Sequence, residues 1–184
     1  MNNNLKLLFL TTILLTIATP VLCDTPIGYA TYLVSGDQKE DKGDYNGAIA
    51  DYTKVIELKP HFSQIAEVYN SRGEAKRKNN DLDGGIADFT KAIELKAGYA
   101  DPYYNRGKAK KAKGDLDGAI ADYTKAIELD PDGPDAYRRR GDARFAKGDL
   151  HGAKDDFIKA LQIKPDYAAA QKALDELNQK SAKP

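Results

Sequence analysis

Four aspartates, Asp51, Asp88, Asp122 and Asp156, return along the chain in nearly the same local setting, each followed by Tyr or Phe. Carboxylates are what general acid–base chemistry would use, provided that the surroundings raise the pKa of one above another. Nothing in the sequence sets one of the four apart, and repetition at one structural position argues for architecture. Other chemistry has even less to stand on. The chain has one cysteine, Cys23, and two histidines, His61 and His151, so disulfide frameworks and multi-cysteine metal sites are excluded. No Gly-rich phosphate loop, HExxH, Cys-His pair or GxSxG occurs. We expect no catalysis, no metal and no cofactor.

The 184 residues carry 28 Lys+Arg against 28 Asp+Glu, a formal net charge of zero that disfavours a nucleic-acid binder. The basic stretches 76–78 and 108–113 are local exceptions. Charged residues at 30% and hydrophobic ones at 41% suit a folded protein with a thin core and a charged surface.

The N-terminus reads differently from the rest. A short polar start with Lys6 precedes an apolar run from Leu7 to Ala18, broken by threonines and stopped by Pro20. A membrane span needs about 20 apolar residues, so residues 1–23 are expected to be a cleaved export signal, with 24–28 a short linker. Cleavage after Cys23 leaves a cysteine-free chain suited to an oxidising compartment, periplasmic or extracellular, with no stable membrane insertion.

The elements that position the aspartates form a repeat. Residues 42–60 recur at 79–97, at 113–131 and, more worn, at 147–165; the steps from Asp44 to Asp81, Asp115 and Asp149 are 37, 34 and 34 residues. Upstream of each copy an aromatic stands four residues before a glycine: Tyr32/Gly36, Tyr69/Gly73, Tyr103/Gly107 and Tyr137/Gly141. Within one copy Leu116, Ala119, Ile120, Tyr123, Ile127 and Leu129 define an apolar helix face, and Asp117, Asp122, Lys125 and Glu128 a polar one. Gly114 offers a left-handed turn and Asp115 an N-cap; Asn80, which tolerates that turn, replaces the glycine in the second copy. Pro60, Pro131 and Pro165 close the second helices. Ala169, Ala170, Ala173, Leu174 and Leu177 mark one final apolar face, so nine helices are expected.

With its 34-residue period and its Tyr103, Gly107, Ala119, Tyr123 and Pro131 pattern, the chain resembles the tetratricopeptide repeat family. The resemblance implies an all-α fold, an α-solenoid of four helix-turn-helix repeats at 29–62, 66–99, 100–133 and 134–167, with a capping helix and tail over 168–184. It also implies a concave groove, lined by first helices, that takes a protein or peptide segment. Carried onto this chain, the groove residues are Leu33 and Asp37 in the first unit; Asn70, Glu74 and Arg77 in the second; Tyr104, Asn105, Lys108 and Lys111 in the third; and Arg138, Arg139, Asp142 and Phe145 in the fourth. Glu67, Asp101 and Asp135 would form an acidic rim. The basic middle favours an acidic segment or a C-terminal carboxylate. Chaperone-binding members use a five-residue clamp, but here only Asn105 and Arg139 match it, so that subclass is not expected. A non-catalytic scaffold is the main expectation. A self-associating structural subunit and a carrier for exported clients are the alternatives, and the oligomeric state is open.

Two departures from the family pattern stand out. Gly85 replaces the alanine of other units, at about 1 kcal/mol of helix propensity, and three extra residues precede the second unit, so the first junction is expected to be the weakest. Arg72, Arg106 and Arg140, with Lys76, Lys110 and Arg144, occupy places where family members usually carry apolar or aromatic residues. Because these cations repeat in step with the aspartates, the two sets are expected to pair.

Overall fold

A computed structural model describes residues 26–58 and 62–181; residues 1–23, where an export signal is expected, and Pro60 lie outside the described residues. Nine helices and no strand occur among them: α1 (Pro26–Asp41), α2 (Tyr45–Glu57), α3 (Phe62–Lys78), α4 (Leu82–Leu95), α5 (Ala100–Ala112), α6 (Leu116–Leu129), α7 (Pro134–Lys147), α8 (Leu150–Ile163) and α9 (Ala168–Ser181). None is long and apolar enough to cross a membrane. Each helix packs on the one before and the one after, as expected when every unit leaves an apolar face for its neighbour to cover. First helices α3, α5 and α7 also touch each other across units, whereas second helices are held apart; the array therefore curves with its first helices inside.

The turns follow local chemistry. Gly43, Gly114 and Gly148 take the left-handed conformation, and Asn80 takes it at φ 65°. Asp44, Asp81, Asp115 and Asp149 then cap the second helices, each accepting a hydrogen bond at 2.9 Å from the backbone N–H three residues on. Inside each unit the second-helix aromatic, Tyr52, Phe89, Tyr123 or Phe157, lies over the first-helix glycine and is at most 1% exposed.

The expected pairing occurs, and it joins the two helices of one unit. Arg106 grips Asp122 through two parallel bonds, Nε to Oδ2 at 2.9 Å and Nη2 to Oδ1 at 2.7 Å, while Lys110 reaches Oδ2 at 2.8 Å. Arg72 and Lys76 treat Asp88 in the same way, as do Arg140 and Arg144 with Asp156. In the first unit Ser35 stands in the arginine's place, and Asp51 takes Ser35 Oγ at 2.6 Å and Lys39 at 2.7 Å. Asp122 is thus not on a solvated face, as its helical position suggested, but 4% exposed between two cations.

Each arginine also links units. Thr53, Thr90 and Thr124 donate to a carbonyl one turn back and accept from the next unit's Arg72, Arg106 and Arg140 at 3.0, 3.0 and 3.1 Å. Tyr69, Tyr103 and Tyr137 lie beneath the same guanidiniums, 5.2 to 5.7 Å from the ring centres. Arginine stems and tyrosine rings thereby fill the space that apolar side chains would otherwise take.

The junction of units one and two is not weakened in the way its sequence suggests. The extra residues go into α3, which begins seven residues before Tyr69, whereas α5 begins three before Tyr103. A core of Ala48, Tyr52, Val55, Val68 and Ala75 crosses the junction, and Lys78–Glu40 and Asn79–Asn46 contacts at 2.8 and 2.9 Å tie its edge. Gly85 has a packing reason, because a Cβ there would lie 3.0 Å from the Gly73 carbonyl oxygen. At the far end Ala170 and Leu177 of α9 are buried, Leu177 against Phe157, while Ala169, expected on that face, is exposed.

Candidate functional site on the inner helices

The inner face is built by positions that recur just after the first-helix glycine, where a side chain looks away from its own second helix. On α3 Glu74 accepts both Nε and Nη2 of Arg77 at 2.8 Å. Lys108 of α5 reaches the same carboxylate at 3.2 Å and sits 5.4 Å from the centre of the Tyr104 ring. Asn105 donates to Asn70 at 3.1 Å, an amide bridge between units. On α7 Asp142 holds Arg138 at 2.8 Å and, more loosely, Lys111 of α5 at 3.7 Å; Arg138 also donates to the Tyr167 hydroxyl at 2.7 Å. Arg139 makes no ion pair with any described residue, and its Nε is buried without a partner.

Nine of the expected groove residues therefore form a connected surface: Asn70, Glu74, Arg77, Tyr104, Asn105, Lys108, Lys111, Arg138 and Asp142, with Arg139 beside them. Phe145 stands apart from it, packed under α9 against Ala173 and Leu174 with Lys180 over its ring. Leu33 belongs to the core of the first unit, and Asp37 accepts from the Tyr52 hydroxyl at 2.8 Å. The end units differ from the middle because a neighbour, or the cap, changes what each face meets. Of the rim acids, Asp101 and Asp135 share a hollow of about 220 Å³ with Tyr104 and Asp130, and Glu67 meets Lys96 at 3.3 Å. Tyr123 was read only as core. Its ring is buried, yet the residue lines a pocket together with Arg77, Lys108, Lys111 and Arg139.

Charge on this face is unevenly balanced. Burial, with repulsion from Arg77 and Arg139, holds the Lys108 ammonium below its ordinary value even with Glu74 beside it. Lys111 is lowered in the same way, by burial and then by Arg139 and Arg138 against the pull of Asp142. Burial alone would raise Glu74, but the bonds and charges of Arg77 and Lys108 outweigh it and leave the carboxyl below its ordinary 4.5. Asp51 follows suit, with Lys39 and Ser35 outweighing burial to hold it below 3.8.

A carboxyl depressed by folding stabilises the fold above its ordinary pKa, and that stabilisation is lost as pH falls through the lower folded value. We expect urea midpoints to fall as pH drops below the ordinary values of 4.5 and 3.8. Glu74→Gln should flatten part of that acid limb, and an unchanged limb would remove Glu74 from it.

Two-helix units stacked into a curved array, with a charged and aromatic inner face, define a protein of the α-solenoid class. The chain belongs to the tetratricopeptide repeat family. Models of that repeat match residues 29–62, 66–99 and 134–167, and a TPR repeat model matches 107–148. The matched models describe repeats and name no catalytic family; proteins of this fold are generally non-enzymatic interaction modules. Among solved structures, one of MamA is 32% identical over 81% of this chain and 85% of its own, with a TM-score of 0.71. The first TPR of Spaghetti (RPAP3), bound to the HSP90 peptide SRMEEVD, is 30% identical over 66% of this chain and 96% of its own, at 0.64. The Sgt2 TPR domain from Aspergillus fumigatus is 25% identical over 65% and 84%, at 0.61. No curated protein matches significantly.

Proposed function

We propose that this chain is a non-catalytic scaffold that takes an acidic segment, or a C-terminal carboxylate, of a partner protein along the inner face of α3, α5 and α7. The observation that carries this reading is the cation excess there: Arg77, Lys108, Lys111, Arg138 and Arg139 face two carboxylates, Glu74 and Asp142. The Tyr104 ring adds an apolar surface for the segment's backbone. The peptide held by the Spaghetti repeat domain, a structure 30% identical to this chain, supports such use of the fold. We extend the proposal to location: residues 1–23 carry the pattern of an export signal, and the partner would be met outside the cytoplasm.

The test is titration of labelled acidic peptides, with free and with amidated C-termini, against the protein and a Lys108→Glu/Arg139→Glu variant. Two charge reversals in the groove should weaken binding by about a hundredfold, since each lost charge-assisted contact is worth about 1.5–3 kcal/mol. Helix content should stay unchanged, because neither side chain belongs to the Arg–Asp ladder. Loss on amidation would assign the terminal carboxylate, and retention an internal acidic run. Equal binding by both proteins would move the site to the outer face and refute the proposal.

A further inference from the structure

The second-helix aromatic position carries Tyr52, Phe89, Tyr123 and Phe157 in turn, and all four rings are buried to the same degree. Two of the four units manage with phenylalanine, so the architecture needs the ring and not the hydroxyl. In the first unit the hydroxyl is used: Tyr52 reaches Asp37 Oδ1 at 2.8 Å and Glu40 Oε2 at 3.0 Å. One and four residues after the first-helix glycine, where the first unit has these two carboxylates, the third unit has Lys108 and Lys111. Among the described residues the buried Tyr123 hydroxyl has no hydrogen-bond partner. Leaving a buried hydroxyl without a partner is unfavourable, and a Phe would avoid that cost.

The second orphan lies in the same place. Arg139 Nε is buried and unpartnered, and Arg139, Tyr123, Arg77, Lys108 and Lys111 line one pocket of about 470 Å³ between α3, α5, α6 and α7. Glu74 is divided between Arg77 and Lys108, and Asp142 between Lys111 and Arg138, so the cation excess has no internal answer. Such a cluster suits an acceptor with more than one negative charge. A planar carboxylate is satisfied by one guanidinium fork, as Asp122 is by Arg106. Here a hydroxyl, two ammoniums and two guanidiniums come from four helices, an arrangement matched to a group whose three terminal oxygens point in different directions.

We propose that this pocket is a receptor for a phosphoryl dianion, with Tyr123 and Arg139 donating to its oxygens and Lys108 and Lys111 neutralising its charge. The proposal deepens the groove reading and rests on it for the carrier of the anion, a phosphorylated segment of the partner. The lowered ammonium pKa values of Lys108 and Lys111 fit a site that an anion would relieve.

Isothermal titration calorimetry on the full chain tests this with inorganic phosphate, a short phosphoserine peptide, and the same peptide with Ser or Glu at that place. Phosphate and the phosphoserine peptide should bind, and the Ser peptide should not. Arg139→Gln should weaken both by about tenfold or more. Tyr123→Phe should weaken them severalfold while leaving the unliganded protein as stable as the parent or more so. Phosphate binding as tightly as the peptide would assign a free phosphate as the source, and tighter peptide binding a phosphorylated segment. Equal binding of the Glu peptide would overturn the phosphoryl assignment and leave an acidic-segment groove intact. Absence of binding by every anion would overturn both. Phosphate affinity untouched by either substitution, or a Tyr123→Phe protein clearly less stable than its parent, would also overturn the pocket.

Discussion

Asp122→Ala is expected to cost about 3–5 kcal/mol of stability, the usual penalty for removing one partner of a buried charge cluster. The side chain is 6% exposed, and the two cations on it, Arg106 and Lys110, are 17% and 22% exposed. Deleting the carboxylate strands both against the core, and Arg106 is left with the Thr90 hydroxyl of the previous unit and the Tyr103 ring beneath it. For a chain of this size the melting temperature should fall by roughly 10 °C, at about 2–4 °C per kcal/mol. The loss should be spread unevenly, since repeat arrays are stabilised by nearest neighbours; amides of α5 and α6 should lose the most exchange protection. A second variant separates charge from shape. Asp122→Leu/Arg106→Met/Lys110→Leu removes the whole cluster and restores apolar contact, and it should recover most of the loss. If Asp122→Ala unfolds at the parental urea concentration, the ladder is decoration and the Tyr–Arg stacking carries the interface.

Much of this architecture is legible in the residues because the signals are local. A left-handed Gly114 followed by a capping Asp115 fixes where one helix ends and the next begins, and the same pair at 43–44 and 148–149 repeats the decision. Even the replacement of that glycine by Asn80 is readable, since its side chain is among the few that accept φ 65°. The arginine–aspartate pairing is legible as a period. It is not legible as a geometry, because helical spacing says which side a residue is on but not which neighbour reaches across. Asp122 shows the limit: its helical position is polar, and only the Arg106 fork makes that position buried.

The inner surface was partly readable for the same reason. Positions one and four after the first-helix glycine face inward in every unit, yet what they meet depends on the unit's place in the stack. Phe145 occupies the position of Arg77 and Lys111, but α9 covers it. Leu33 occupies the position of Asn70 and Tyr104, but its side chain packs on the core of the first unit. The signal that was present and unread is the alternation of Tyr and Phe at 52, 89, 123 and 157, together with the exchange of Asp37 and Glu40 for Lys108 and Lys111. A tyrosine standing where cations replace the first unit's Asp37 and Glu40 is the sequence counterpart of the proposed anion pocket.

Gly107→Val should destabilise the protein by about 3 kcal/mol, near the upper end for overpacking a filled core. A Cβ at Gly107 would lie 2.7, 2.9 and 3.1 Å from three atoms of the Tyr123 ring, well inside contact distance. That ring has nowhere to go: it is fully buried, clustered with Ala119 and Ala143, and 5.9 Å from the Tyr104 ring. Relief must come from separating α5 and α6, which would also stretch the Arg106–Asp122 fork. Replacing a helical glycine normally favours folding, by as much as about 1 kcal/mol for alanine, so a loss here isolates the steric term. Gly98→Ala, in the turn before α5, supplies the steric control alone, because a Cβ there meets nothing within 4 Å. Combining Gly107→Ala with Tyr123→Leu, which removes the ring, should recover stability relative to Gly107→Ala alone. Should Gly107→Val melt with the parent protein, the close crossing of α5 and α6 is not what the glycine is for, and the aromatic-over-glycine contact repeated in every unit loses its energetic meaning.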